Sequence, residues 1–419
     1  MKILITNHHA KENKGDLAII LGLMEGLKKK NKNIKFSIIG RYIDEREWWA
    51  KRGVGFFVPV LSTPKKGRWR AIRFVIRYHI SLCLLNWPIV ATWFYSPEKI
   101  KTLKAYQDAD LVISKGGSFF REPEYKINFF PIGIMGHLHQ LILARKFKKP
   151  IVLLAQSFGP INNPYSRYII SKLFKKCDLI TTRDTESETF LRQRLNISKN
   201  LFSAGDLAFL LDGQREPVRA DAVTQSITEN KRKGYKCIGL TVRSWSDQKE
   251  FESYIASINS LLARGSEENL CFYFMPQVVG PYKEDDRRVS NMIWNNLPSP
   301  IKDKTMVIEK ELEIGELLNL YGQMDYFVAT RLHSAVFSIL NNVPVMAIGY
   351  EPKTIAIFND LNIGDFVLDI RLISPSETNK MFEMLQRAPK EIFKAAKKQA
   401  LIGARKNIEI MSNYINMNK

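Results

Sequence analysis

The residues best suited to chemistry in this 419-residue chain stand where short apolar runs end. One such run closes on Ala329-Thr330-Arg331-Leu332-His333-Ser334 and passes into an amphipathic stretch. Arg331 and His333 are two apart, so alternate positions can turn both side chains into one cleft. A guanidinium grips a phosphate or carboxylate bidentately, and an imidazole beside it can deliver a proton near neutral pH. Together they read as a group-transfer site, with a purely structural histidine as the alternative. Gly349-Tyr350-Glu351-Pro352-Lys353 follows the next run, so Lys353 either reaches the same sheet edge or is a solvated lysine. Arg183, in Thr182-Arg183-Asp184-Thr185-Glu186-Ser187, also leaves a strand end and faces the start of a helix. It either clamps an anion there or pairs with Asp184 or another carboxylate. Gly116 and Gly117 follow a strand in Lys115-Gly116-Gly117-Ser118, where paired glycines bring backbone N–H groups to a ligand or simply make a tight turn. Asn13-Lys14-Gly15-Asp16 separates the first strand from its helix, with Asp16 as a contact or a helix cap.

These positions need a scaffold that carries strand ends to one edge, and the pattern supplies it. Strands are expected at Lys2–Thr6, Lys35–Ile39, Asp110–Ser114, Ile151–Ala155 and Leu179–Thr182, with helices at Asp16–Lys29, Phe130–Lys146, Ser166–Cys177 and Glu186–Gln193. After a polar stretch around Asp212–Gly234 the alternation resumes. Strands follow at Cys237–Val242, Cys271–Met275, Met306–Ile308, Tyr326–Ala329 and Val345–Ile348, and helices at Lys249–Ala263, Asp285–Asn295, Ile314–Gln323 and Ser334–Asn341. Strand and helix in alternation mean βαβ units and parallel sheets. The fold class is therefore α/β, with two Rossmann-like domains at 1–212 and 213–388. A basic C-terminal helix at 389–419 is expected to pack back on the first domain. The arrangement resembles the two-lobed GT-B-like glycosyltransferase class, which puts the active site in the cleft between lobes.

Lys and Arg number 63 against 42 Asp and Glu, a net charge of +21 that favours negatively charged partners. Nucleic acid is excluded as the reading of choice, because the basic residues scatter along helices and no zinc-finger or single-strand-binding motif accompanies them. Four widely spaced cysteines suggest neither a disulfide framework nor a metal cluster, and the N-terminal apolar run is too short for a secretory signal. A cytoplasmic protein is expected. The segment 65–95 breaks the alternation: six basic residues (Lys65, Lys66, Arg68, Arg70, Arg73, Arg77) interleave with aromatics and lead into an apolar run. That run is shorter than the ~20 residues of a spanning helix. The segment is either a packed helix with solvated charges or, together with the C-terminal helix, a peripheral contact with an anionic membrane at its inner face.

In series, Asn13-Lys14-Gly15-Asp16, Lys115-Gly116-Gly117, Gln156-Ser157-Phe158-Gly159-Pro160-Ile161, Arg183-Asp184-Thr185-Glu186-Ser187, Gly205-Asp206-Leu207-Ala208-Phe209, Arg331-Leu332-His333-Ser334 and Gly349-Tyr350-Glu351-Pro352-Lys353 resemble the polysaccharide pyruvyl transferase family. The resemblance implies transfer of pyruvate from phosphoenolpyruvate to two hydroxyls of one sugar, forming a cyclic ketal and releasing phosphate. It implies His333 as general acid, Arg183 and Arg331 on the two anionic ends of the donor, and Lys353 assisting. Asn13, Asp16, Gly116, Gly117, Arg243 and Tyr350 are the further acceptor or loop contacts, with Arg243 expected on a diphosphate of a lipid-linked glycan acceptor. Neither metal nor redox cofactor is required; phosphoenolpyruvate is a co-substrate. The competing enzyme reading is a nucleotide-sugar-dependent glycosyltransferase.

Overall fold

The computed structural model describes residues 1–61, 68–84, 95–122, 132–213, 216, 222–280 and 284–418. Lys65, Lys66, the apolar run over 85–94, Phe130 and most of the polar stretch 214–219 lie outside them. The chain forms two compact units. The first comprises Met1–Lys11, Ile19–Leu207 and Gly403–Lys419, and the second Glu12–Ala18 and Ala208–Ile402. The main division thus falls at Leu207/Ala208, a few residues before the break at 212 read from composition. The short segment Glu12–Ala18 also belongs with the second unit, although it lies next to the first strand.

Among the described residues the first unit holds eight strands: β1 (Lys2–His8), β2 (Lys35–Gly40), β3 (Gly55–Phe57), β4 (Leu111–Ser114), β5 (Gly117–Phe120), β6 (Ile151–Phe158), β7 (Leu179–Thr182) and β8 (Leu201–Ser203). Their order is β3-β2-β1-β4-β6-β7-β8, with β5 added to β6, and the pairings are parallel. Every residue of β6 is buried, as a central strand covered on both faces must be. Gly205 meets Gly403 of the terminal helix Lys390–Met417 backbone to backbone, and Asn407 Nδ2 donates to the Gly205 carbonyl.

Among the described residues the second unit holds six: β9 (Lys236–Thr241), β10 (Leu270–Phe274), β11 (Thr305–Val307), β12 (Tyr326–Ala329), β13 (Val345–Gly349) and β14 (Val367–Asp369). They are parallel in the order β11-β10-β9-β12-β13-β14. The direction of winding reverses between β9 and β12. In open α/β sheets such a reversal is where ligands bind, beyond the carboxyl ends of the strands.

Candidate active site

Arg331 and His333 emerge from β12 at that reversal. Arg331 is the N-cap of the helix Leu332–Leu340, with extended backbone and no side-chain cap, so the positive end of the helix dipole is available to an anion. Four hydroxyls stitch the strand end in place. Thr241 Oγ1 at the end of β9 accepts from Thr330 N at 3.0 Å and lies 2.7 Å from Ser334 Oγ, and Tyr254 OH lies 3.0 Å from Thr330 Oγ1.

The guanidinium of Arg331 is held by Asp286, a fully buried carboxylate at the first turn of the helix Asp286–Asn295. Asp286 Oδ1 accepts from Arg331 Nε at 3.1 Å and from Nη2 at 2.5 Å. Its Oδ2 accepts from the backbone N–H groups of Gln277 and Val278, both at 3.0 Å. Burial works against the charge on Arg331, but Asp286 and Tyr350 outweigh it and hold the guanidinium above its ordinary pKa. A fixed, fully charged guanidinium at a helix start is a preformed anion clamp.

Arg243 leaves β9 and Tyr350 leaves β13, the strands on either side of β12. The Arg243 guanidinium lies over the Tyr350 ring at 3.9 Å, and Trp245 meets the same ring edge-on at 5.6 Å. The same phenol also adds to the electrostatic support of the Arg331 guanidinium, so it stands near both groups. Lys353 sits in the first turn of the helix Pro352–Asp360, paired with Glu351. The second unit thus brings Arg243, Arg331, His333, Tyr350 and Lys353 to one edge of one sheet.

His333 has a wall that the sequence reading did not give it. A Cβ built on Gly15 would lie 2.2 Å from His333 Nδ1, so the Asn13-Lys14-Gly15-Asp16 turn passes against the imidazole through the one residue that leaves room. The turn is anchored in the second unit: Lys14 N donates to Gln277 O at 3.0 Å, Asn13 bridges to Val278, and Lys14 Nζ pairs with Glu311 at 2.8 Å. Asn13, not Asp16, is the cap, its Oδ1 accepting from Asp16 N at 3.3 Å. Gln277 and Val278 therefore hold both the clamp and the turn.

The first-unit candidates take a different place. Arg183 is buried to 1% exposure against Asp206, equally buried, with Nη1 to Oδ2 at 2.6 Å. Its Nε donates to Ser157 Oγ at 2.8 Å, Ser157 donates to Asp184 at 2.5 Å, and Asp184 caps the helix Thr185–Leu195 through Ser187 N. Arg183 thus follows the carboxylate-paired alternative, and its partner is Asp206 from beyond β8. Gly117 opens β5 and pairs with Gln156, while Gly116 packs against the Ala155 carbonyl so closely that a Cβ would come within 2.6 Å of it. The paired glycines serve strand packing.

The sequence reading also passed over a small pocket of about 70 Å³ in the first unit, at the carboxyl ends of β1 and β2, lined by Asn7, His8, His9, Arg41, His137 and Gln140 among others. Asn7 holds φ at 66° and is secured by Gln140, Ser114 and His137 at 3.0 Å each. The buried Glu45 carboxylate receives His8 Nε2 at 2.7 Å and Trp49 Nε1 at 3.1 Å. Such a lining suits a hydroxyl-rich molecule.

Two Rossmann-like domains in series, each with its strand ends converging on polar residues, define a GT-B-like protein. Solved structures share this fold at low identity. The S. aureus MnaA–UDP structure matches at TM-score 0.63 and 11% identity over 99% of this chain and 96% of that one. UDP-GlcNAc 2-epimerase from Neisseria meningitidis, bound to UDP-GlcNAc, matches at 0.59 and 12% over 100% of both chains. Anabaena Alr3699/HepE with UDP-glucose matches at 0.57 and 11% over 100% and 99%. The family follows from the sequence: the model for polysaccharide pyruvyl transferase matches residues 13–352, and the chain belongs to that family. Amylovoran biosynthesis protein AmsJ of Erwinia amylovora is a relative, 23% identical across 99% of this chain and 100% of its own length.

Proposed function

We propose that this enzyme moves pyruvate from phosphoenolpyruvate to two hydroxyls of a sugar in a surface polysaccharide or its lipid-linked precursor, releasing phosphate. The observation that carries the reading is the Arg331 guanidinium, fixed by Asp286 and standing two residues before His333, whose imidazole lies against Gly15. The donor offers a phosphate and a carboxylate to Arg331 and Lys353, while Arg243 beside them meets the acceptor. Arg183, enclosed with Asp206, is left out of this role.

His333, as imidazolium, gives its proton to the methylene carbon of the donor, which becomes a methyl group as C2 turns electrophilic. One sugar hydroxyl attacks C2 and gives up its proton, which restores the imidazolium. The second hydroxyl then attacks C2 as the C2–O bond to phosphate breaks, and its proton leaves with the phosphate. Two hydroxyl protons are thus used, one in the methyl group and one on hydrogen phosphate, and Arg331 and Lys353 offset charge on the leaving group.

The test is phosphate release from phosphoenolpyruvate across free and lipid-diphosphate-linked glycosides. Acceptor-dependent release is expected in the native protein. His333→Ala is expected to lose nearly all turnover while still binding phosphoenolpyruvate by calorimetry, and Arg331→Ala to lose the binding itself. Full activity in His333→Ala would overturn the assignment. Nucleoside diphosphate released from a nucleotide sugar, with no phosphate from phosphoenolpyruvate, would overturn the reaction.

A further inference from the structure

The helix Arg68–Leu84 in the first unit carries three faces, and the reaction accounts for none of them. Phe74, Tyr78 and Ser81 are buried. Phe74 and Tyr78 join the core cluster with Ile134, Met135 and Leu138. Ser81 Oγ donates to Tyr78 O and lies 2.7 Å from the buried His139 Nε2, which fixes the roll of the helix. At about 100° per residue, Trp69, Ile72, Ile76 and Ile80 fall in an arc of roughly 80° on the far side. They are exposed to 78%, 42%, 52% and 46%. Arg70, Arg73 and Arg77, also exposed, form a row between this stripe and the buried face.

We propose that this face docks the protein on an anionic membrane surface, with the isoleucines and Trp69 entering the headgroup boundary and the arginine row contacting lipid phosphates. Three observations favour lipid over water or a neutral partner. An aliphatic stripe with a tryptophan at one end costs free energy in water and gains it at an interface. The arginines run beside the stripe, where long basic side chains can lay their stems along the apolar layer and reach the phosphates. The whole chain carries +21, so its field draws it toward a negative surface before contact. No described helix is long and apolar enough to cross a membrane, which agrees with a helix lying in the interface plane. The terminal helix is not needed: Lys394 and Lys397 are engaged by Glu391 and Asp212.

The proposal stands apart from the reaction, so the test measures partition and uses no substrate. The full chain is sedimented with vesicles of phosphatidylcholine alone and of phosphatidylcholine with phosphatidylglycerol, at low and high salt. Binding is expected with the anionic vesicles and is expected to weaken as salt rises. Each arginine of the row changed to Gln should reduce partition roughly fivefold. The variant Ile72→Ser/Ile76→Ser/Ile80→Ser should abolish partition with circular dichroism and thermal unfolding unchanged. Lys28→Gln/Lys29→Gln, which removes charge from the end of another helix, should retain it. Equal partition on neutral and anionic vesicles, unchanged partition in the serine variant, or a dimer in light scattering that the serine variant dissolves would each overturn the proposal.

Discussion

At the residue scale, the candidate site depends on a missing side chain as much as on those present. Gly15 leaves the space that His333 Nδ1 occupies, so Gly15→Ala must move either the imidazole or the turn. A displacement of about 1 Å of an acid is worth roughly 100-fold in rate. Gly15→Ala is therefore expected to lower kcat for phosphate release by about that factor with little change in phosphoenolpyruvate affinity, since the Arg331 guanidinium is held directly by Asp286 and the nearest atoms to the added methyl are those of His333. Equal losses in kcat and affinity would show that the turn supports the clamp rather than the imidazole. Arg331 and His333 were legible because an Arg-x-His after an apolar run puts two reactive groups at a strand end. Asp286 was not, because its importance lies in two backbone N–H groups and a guanidinium 45 residues away. Gly15 was not either, since spacing along the chain carries no record of the imidazole it faces.

At the scale of elements, the buried network of Arg183, Asp206, Ser157 and Asp184 joins β6, the helix after β7 and the loop after β8. Strand-end arginines look alike in sequence whether they face a ligand or a buried carboxylate, and here the deciding partner comes from a third element. Removing one member leaves a buried charge without its counter-ion, so Arg183→Met should cost about 3–5 kcal/mol in denaturant unfolding. Arg183→Met with Asp206→Leu should recover much of that loss, and variants that stay folded should keep their phosphoenolpyruvate affinity. A selective fall in that affinity would return Arg183 to the donor. A second element-scale prediction concerns His139, which joins the helix Ile132–Lys146 to the arginine-bearing helix. Burial, and then the charge of Lys99, push its pKa down to about 4. The folded state thus favours the neutral ring. The stabilisation is complete above the ordinary value near 6.5 and is lost as pH falls from there toward 4, a swing of roughly 3 kcal/mol. Thermal unfolding of the native protein should therefore weaken between pH 7 and 4.5 more than that of His139→Gln. Parallel slopes would refute the assignment. The long central strands were legible because strands buried on both faces read as unbroken apolar runs. The missed β3, β5, β8 and β14 are three or four residues long and only partly buried, so no run of buried apolar residues marks them.

At the scale of the whole molecule, alternation of strand and helix sufficed to read two Rossmann-like domains, because each βαβ unit repeats the same hydrophobic rhythm. It did not show that residues 12–18 belong with the second unit. That membership rests on single contacts such as Lys14 with Glu311, 297 residues apart, and local composition cannot register them. The same separation sets an order of events during synthesis. Strands β1 to β8 all lie before Leu207, and their sheet has its strands in hand while the second unit is still being made. The turn beside Gly15 leaves the ribosome with the first strand and then waits for Gln277, Glu311 and His333. At about 5–20 residues per second that wait is roughly 15–60 s. A nascent chain therefore displays the first sheet well before the wall of its histidine exists, and acquires its chemistry only once residue 333 has been made and met the turn that waited for it.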